Sequence, residues 1–102
     1  MVKIWMEQGR IYVGGIIINH HFKKVQRALE EMAREESRMV VDLGELEFID
    51  ETGVSQLLGM IDRFNDRGIQ VELINAQDKV LARFLQVGAR LWLDKQLFSK
   101  VG

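Results

Sequence analysis

From Met39 to Met60 the chain reads Met-Val-Val-Asp-Leu-Gly-Glu-Leu-Glu-Phe-Ile-Asp-Glu-Thr-Gly-Val-Ser-Gln-Leu-Leu-Gly-Met, a strand pattern handed to a helical one across a polar corner. The apolar, β-branched run Met39 to Leu43 is expected to form a strand covered on both faces, because such side chains pack well on a pleated surface. Beyond Asp50-Glu51-Thr52-Gly53, the residues Val54, Leu57, Leu58, Ile61 and Phe64 recur at the helical period. The corner therefore falls at a helix N-terminus, and the remaining segments have to arrange themselves around it.

A helix N-terminus leaves backbone N–H groups without intrahelical acceptors. Asp50 can accept from them, or Thr52 can serve as the cap itself; both residue types suit the position. Gly53 is expected to leave the turn open to a partner. Thr52 then holds a hydroxyl near the positive end of the helix dipole, a suitable place for a phosphoryl group. Around it the chain carries Asp42, Glu45, Glu47, Asp50 and Glu51 with no intervening base, so a negative surface that attracts a basic face is expected, against a plain reading as a solvated, capped loop.

The flanking segments define an α/β layout. Val2, Ile4 and Met6 alternate with Lys3, Trp5 and Glu7, and Ile11 and Val13 alternate after Gln8-Gly9, which predicts a tight hairpin. The run Ile16-Ile17-Ile18 extends the second strand past a glycine bulge or makes a buried connection; we favour the extension. Asn19 marks a helix start, with Phe22, Val25, Leu29, Met32 and Ala33 as its apolar stripe and Lys23, Lys24, Arg27, Glu30, Glu31, Arg34 and Glu35 outside. A crossover into Met39 to Leu43 makes that strand parallel to its partner. The second helix ends near Asn65 to Gly68, where Gly68 suits a left-handed cap.

Ile69, Val71 and Leu73 predict a further strand. Asn75 or Asp78 starts a third helix bearing Val80, Leu81, Phe84 and Leu85, which Gly88 stops. Leu91-Trp92-Leu93 reads as a short strand or a buried tether with Trp92 in the core, and Asp94 caps a last turn bearing Leu97 and Phe98. Trp5 and Tyr12 stay open between core and contact roles. The order ββαβαβα plus a short C-terminal tail implies a mixed β-sheet with α-helices packed against it.

A chain of 102 residues with 47% hydrophobic content encloses one core, so a single domain over residues 1–102 is expected. Charged residues make up 28% and the formal net charge is -1, which argues against nucleic acid or an anionic membrane as an electrostatic partner. Cysteine is absent, and the first residues lack a signal peptide's apolar core, so a cytoplasmic location is expected and neither disulfides nor thiolate metal sites can form. His20 and His21 invite a metal reading, but adjacent helical residues diverge and no third ligand has a recognisable spacing. No nucleophilic triad, phosphate-cradling glycine loop or dinucleotide fingerprint occurs, so neither catalysis nor a cofactor is expected.

The strand Val40-Val41-Asp42-Leu43, the segment Leu46-Glu47-Phe48-Ile49 and the corner Asp50-Glu51-Thr52-Gly53 resemble the signature of STAS domains, the family of bacterial anti-sigma-factor antagonists. Arg67 to Asn75 resembles the family's next strand, and Val80 to Gly88 its following helix, so three separated pieces occur in the family's order. The resemblance implies a STAS-like fold and a non-catalytic switch. In its unphosphorylated form it would bind an anti-sigma factor or serine/threonine kinase, and phosphorylation at Thr52 would release that partner. Asp50, Glu51, Thr52, Gly53, Ser55 and Glu47 would form the partner surface.

The family usually has Ser or Ala where this chain has Glu51. The family's Gly-x-Leu/Ile-Asp near the end of the second strand is absent from Gly9 to Gly15, so the N-terminal surface is expected to serve a different partner. STAS-like subunits of lipid-transport ABC complexes, stress-signalling scaffolds and chemosensory assemblies imply an alternative, with the corner as an interface and no phosphorylation cycle.

Overall fold

The computed structural model describes residues 1–18, 21–33, 37–87 and 98–99. Strands β1 (Val2–Glu7) and β2 (Arg10–Ile17) form the predicted hairpin, with Val2 opposite Gly15 and Glu7 opposite Arg10. Its turn has φ 50° at Gln8 and 77° at Gly9, the doubly left-handed conformation that matches the twist of a two-residue hairpin. Helix α1 (Phe22–Met32) follows, with Phe22, Val25 and Leu29 buried as its stripe requires and Ala33 buried just beyond its end. The expected start at Asn19 lies outside the described residues, as do His20, Arg34 and Glu35.

Strand β3 (Arg38–Asp42) runs parallel to β2, through the pairs Ile11–Val41 and Tyr12–Asp42. It is not covered on both faces as its apolar run suggested: Met39 and Val41 are buried, whereas Val40 is half-buried and Arg38 exposed. A strand absent from the sequence reading, β4 (Leu46–Ile49), lies next, parallel to β2 beyond the stretch that β3 occupies. Its register on β2 shifts between Gly15 and Ile16. Gly15 permits this bulge: its φ is 89°, and a Cβ there would fall 2.1 Å from Met1 O. Thus Ile16 and Ile17 do extend the second strand past a glycine bulge.

Helix α2 (Glu51–Asp66) buries Val54, Leu57, Leu58, Met60, Ile61 and Phe64, and it ends before Gly68 at φ 81°. Strand β5 (Gln70–Ile74) pairs parallel with β3, and helix α3 (Asp78–Gln86) buries Val80 and Phe84. Neither Asn75 nor Asp78 caps α3; Gln77 occupies that position, and Asn75 sits at φ 62°. Strand β6 (Phe98–Ser99) adds to β5 in parallel, so Phe98 lies in a strand and not in a helical turn. Gly88, Leu91 to Leu93, Asp94 and Leu97, expected to stop α3 and to form the tail, lie outside the described residues.

The sheet runs β1-β2-β3-β5-β6 with β4 beside β2, a mixed sheet because only β1–β2 is antiparallel. Ile11, Val13, Met39, Val41 and Leu73 join the buried residues of all three helices in one apolar cluster. The opposite sheet face carries Lys3, Trp5, Tyr12, Val40 and Glu72, all at least partly exposed. There Trp5 and Tyr12 stack as cross-strand partners, 5.3 Å apart and 6° from parallel. This is the single-domain α/β architecture expected.

Candidate functional site

The corner between β4 and α2 is pinned to the sheet by its own backbone. Asp50 N donates to Ile17 O at 3.1 Å, and Val54 N closes the first helical turn on Asp50 O at 2.9 Å. With φ -83° and ψ 173°, Asp50 is extended, and its Oδ1 accepts from Gly53 N at 2.7 Å. The open choice of cap is thereby decided: Asp50 caps α2, which leaves Thr52 in the first turn with its side chain exposed to solvent.

Thr52 shares a shallow depression of about 420 Å³ with Glu51, Ser55, Gln56 and Val87. Two helices meet there, because Val87 closes the C-terminal end of α3. The first-turn N–H groups of Glu51 and Thr52 have no intrahelical acceptor, so the hydroxyl sits where an added anion meets a favourable dipole. Glu51, also exposed, opposes such an anion.

Gly53 has a different role from the open approach expected of it. It is buried, and a Cβ there would lie 2.9 Å from Ile49 Cγ1 and 3.1 Å from Ile17 Cγ2. Its missing side chain lets α2 start tight against β2 and β4.

The five acids do not form one surface. Asp42 is 5% exposed and belongs to the open face of the sheet. Its Oδ2 accepts from Asn75 Nδ2 at 2.9 Å and Arg10 Nη1 at 3.3 Å, and its Oδ1 accepts from Gly44 N at 2.8 Å. This carboxylate is a structural knot between β2, β3 and the turn after β5. Glu45 and Glu47 line a separate depression of about 410 Å³ with Lys3, Trp5, Gly14 and Gln77. Only Asp50 and Glu51 remain at the corner, and Asp50 is committed to its cap.

A feature that charge counting missed flanks the corner. Phe48 is 39% exposed, its register partner Ile16 is 37% exposed, and Ile18 is 38% exposed. Arg83 of α3 lies over the Phe48 ring at 5.3 Å from its centroid. The signal was present in Ile16-Ile17-Ile18 and Phe48-Ile49: paired strands each carrying two adjacent large apolar residues turn one of each pair outward. An apolar patch with Arg83 at its rim thus lies on the strand ends that lead into the corner. Among the described residues no cluster of His, Asp and Glu suits a metal ion, and no helix is long and apolar enough to cross a membrane.

A mixed sheet whose short inserted strand delivers a capped, hydroxyl-bearing helix start defines a class of α/β domain. The profile of the STAS domain family matches residues 7–102, and the chain belongs to that family. Its fold is similar to the anti-sigma factor antagonist SpoIIAA in its unphosphorylated form, with a TM-score of 0.71, 15% identity, and coverage of 100% of this chain and 89% of that one. The phosphorylated form of the Bacillus cell fate determinant SpoIIAA is similar too, with a TM-score of 0.67, 11% identity and coverage of 100% and 92%. The STAS domain of a SulP transporter from Vibrio cholerae matches with a TM-score of 0.63, 21% identity and coverage of 88% and 72%. No curated protein matches by sequence.

Proposed function

We propose that this protein is a non-catalytic, cytoplasmic interaction switch, an anti-sigma factor antagonist. Unphosphorylated, it binds an anti-sigma factor or serine/threonine kinase; phosphorylation of Thr52 releases it. The observation that supports this reading is the exposure of Thr52 in a helix start already capped by Asp50. A hydroxyl free of capping duty is available to a kinase, and its modification leaves the cap intact.

A phosphothreonine carries about -1.5 to -2 charges at pH 7. At an exposed helix N-terminus the dipole favours that charge by about 0.3–1 kcal/mol, while the neighbouring Glu51 opposes it. The phosphate therefore acts mainly on the partner, as a new anion beside the apolar patch of Ile16, Ile18 and Phe48. Glu51 and Ser55 border the contact, while the buried Gly53 only shapes the corner beneath it and Glu47 belongs to the separate depression beside Trp5.

Incubation with ATP and candidate anti-sigma kinases, followed by mass spectrometry of the Thr52 peptide, tests the acceptor. Thr52→Ala is expected to hold the kinase constitutively, and Thr52→Glu to bind it at least about tenfold more weakly, with both variants folded. A second reading is favoured by the apolar patch itself, which suits constitutive docking: a STAS subunit of another assembly in which Thr52 is never modified. Absence of phosphate with every kinase, together with unchanged partner release in both variants, selects that reading.

A further inference from the structure

Strand β1 ends the sheet, and its sequence is complementary to itself. The turn at Gln8 and Gly9 closes on the pair Glu7–Arg10, so Glu7, Trp5 and Lys3 direct their main-chain groups toward β2. Met6, Ile4 and Val2 direct theirs to the open edge. Lys24 Nζ of α1 donates to Val2 O at 3.3 Å and occupies the first of those carbonyls. Among the described residues no strand pairs with the outward groups of Ile4 and Met6, a template for another strand.

The side chains agree with this. Met6, on the core side of β1, is 47% exposed. On the other side Lys3 and Glu7 are exposed and flank Trp5, and among the described residues neither is in an ion pair within the protomer.

We propose that β1 pairs antiparallel with β1 of a second copy of this chain, about a two-fold axis through Trp5. In that register Ile4 and the partner's Met6 exchange both main-chain hydrogen bonds, and the symmetric pair does the same. Lys3 stands opposite the partner's Glu7 at both ends, Trp5 faces its counterpart, and Met6 gains an apolar neighbour in the partner's Ile4. Centring the pair on Ile4 would place Lys3 opposite Trp5 and require the Val2 carbonyl that Lys24 occupies. Centring it on Met6 would place Glu7 opposite Trp5 and Lys3 opposite a glycine. Charge and backbone select the same register. Because β4 joins β2 on the side away from β1, the dimer leaves the Thr52 corner open.

Sedimentation velocity over a micromolar to millimolar series tests this, with circular dichroism to verify folding. The wild-type chain is expected to dimerise reversibly. Glu7→Lys alone and Lys3→Glu alone each set like charges opposite one another and weaken the homodimer by about tenfold. An equimolar mixture of the two variants restores dimers, because each strand then meets its complement. Met6→Pro removes an outward N–H without touching the β1–β2 ladder and abolishes the dimer. A wild-type chain that stays monomeric throughout, or dimers indifferent to the charge reversals, or a mixture no stronger than either variant alone, overturns the proposal.

Discussion

Asp50 and Gly53 shape the corner by different means, and substitution separates them. Asp50→Ala loses an N-cap, worth about 1 kcal/mol at an exposed helix start. Gly53→Ala gains about 0.8–1 kcal/mol of helix propensity, but its methyl meets Ile49 Cγ1 at 2.9 Å and Ile17 Cγ2 at 3.1 Å. Overpacking of that kind costs about 1–3 kcal/mol. The clash therefore wins, with a net loss of about 1 kcal/mol in urea unfolding; a stabilised Gly53→Ala would show that the two isoleucines yield freely. That this stretch caps a helix was legible in the sequence, because capping chemistry is local. Which residue caps was not, since the answer lies in the extended backbone of Asp50 and its bond to Ile17. Asp42 was misassigned for a related reason: its partners Arg10 and Asn75 lie 32 and 33 residues away, and a local count of charges cannot register them.

Among the elements, β4 carries the most consequence for the site. Four residues with two exposed side chains in the middle have no strand-like alternation, so only pairing with β2 makes them a strand. The long apolar runs of β3, α2 and β5 were readable because burial imposes a period on them; β4 and β6 owe their conformation to neighbours distant in sequence. Phe48 is the residue this hides. Its ring is partly exposed and outside the apolar cluster, so Phe48→Ser is expected to cost about 1–2 kcal/mol, for the part of the ring that is covered and its contact with Arg83. If the patch docks the partner, the same change should weaken binding by about tenfold or more, in keeping with aromatic anchors at interface centres. Calorimetric titration alongside urea unfolding resolves the two effects; a loss of stability with unchanged binding would make Phe48 a packing residue.

At the scale of the molecule, one apolar cluster joins the sheet to all three helices. We accordingly propose that residues 1–102 unfold as one unit. Fluorescence and far-ultraviolet circular dichroism should give coincident urea transitions with a slope of about 1–3 kcal/mol/M; two separated transitions would divide the chain. The hydrogen bond from Asp50 to Ile17 ties the N-terminal end of α2 into this same unit. Its effect on communication is considerable: a helix start riveted to the middle of a sheet has little freedom to swing, so any message written on its surface has to be read as altered potential and not as altered shape. Under the proposed switch, a partner needs only to touch that rim, and repeated modification of Thr52 requires no refolding step.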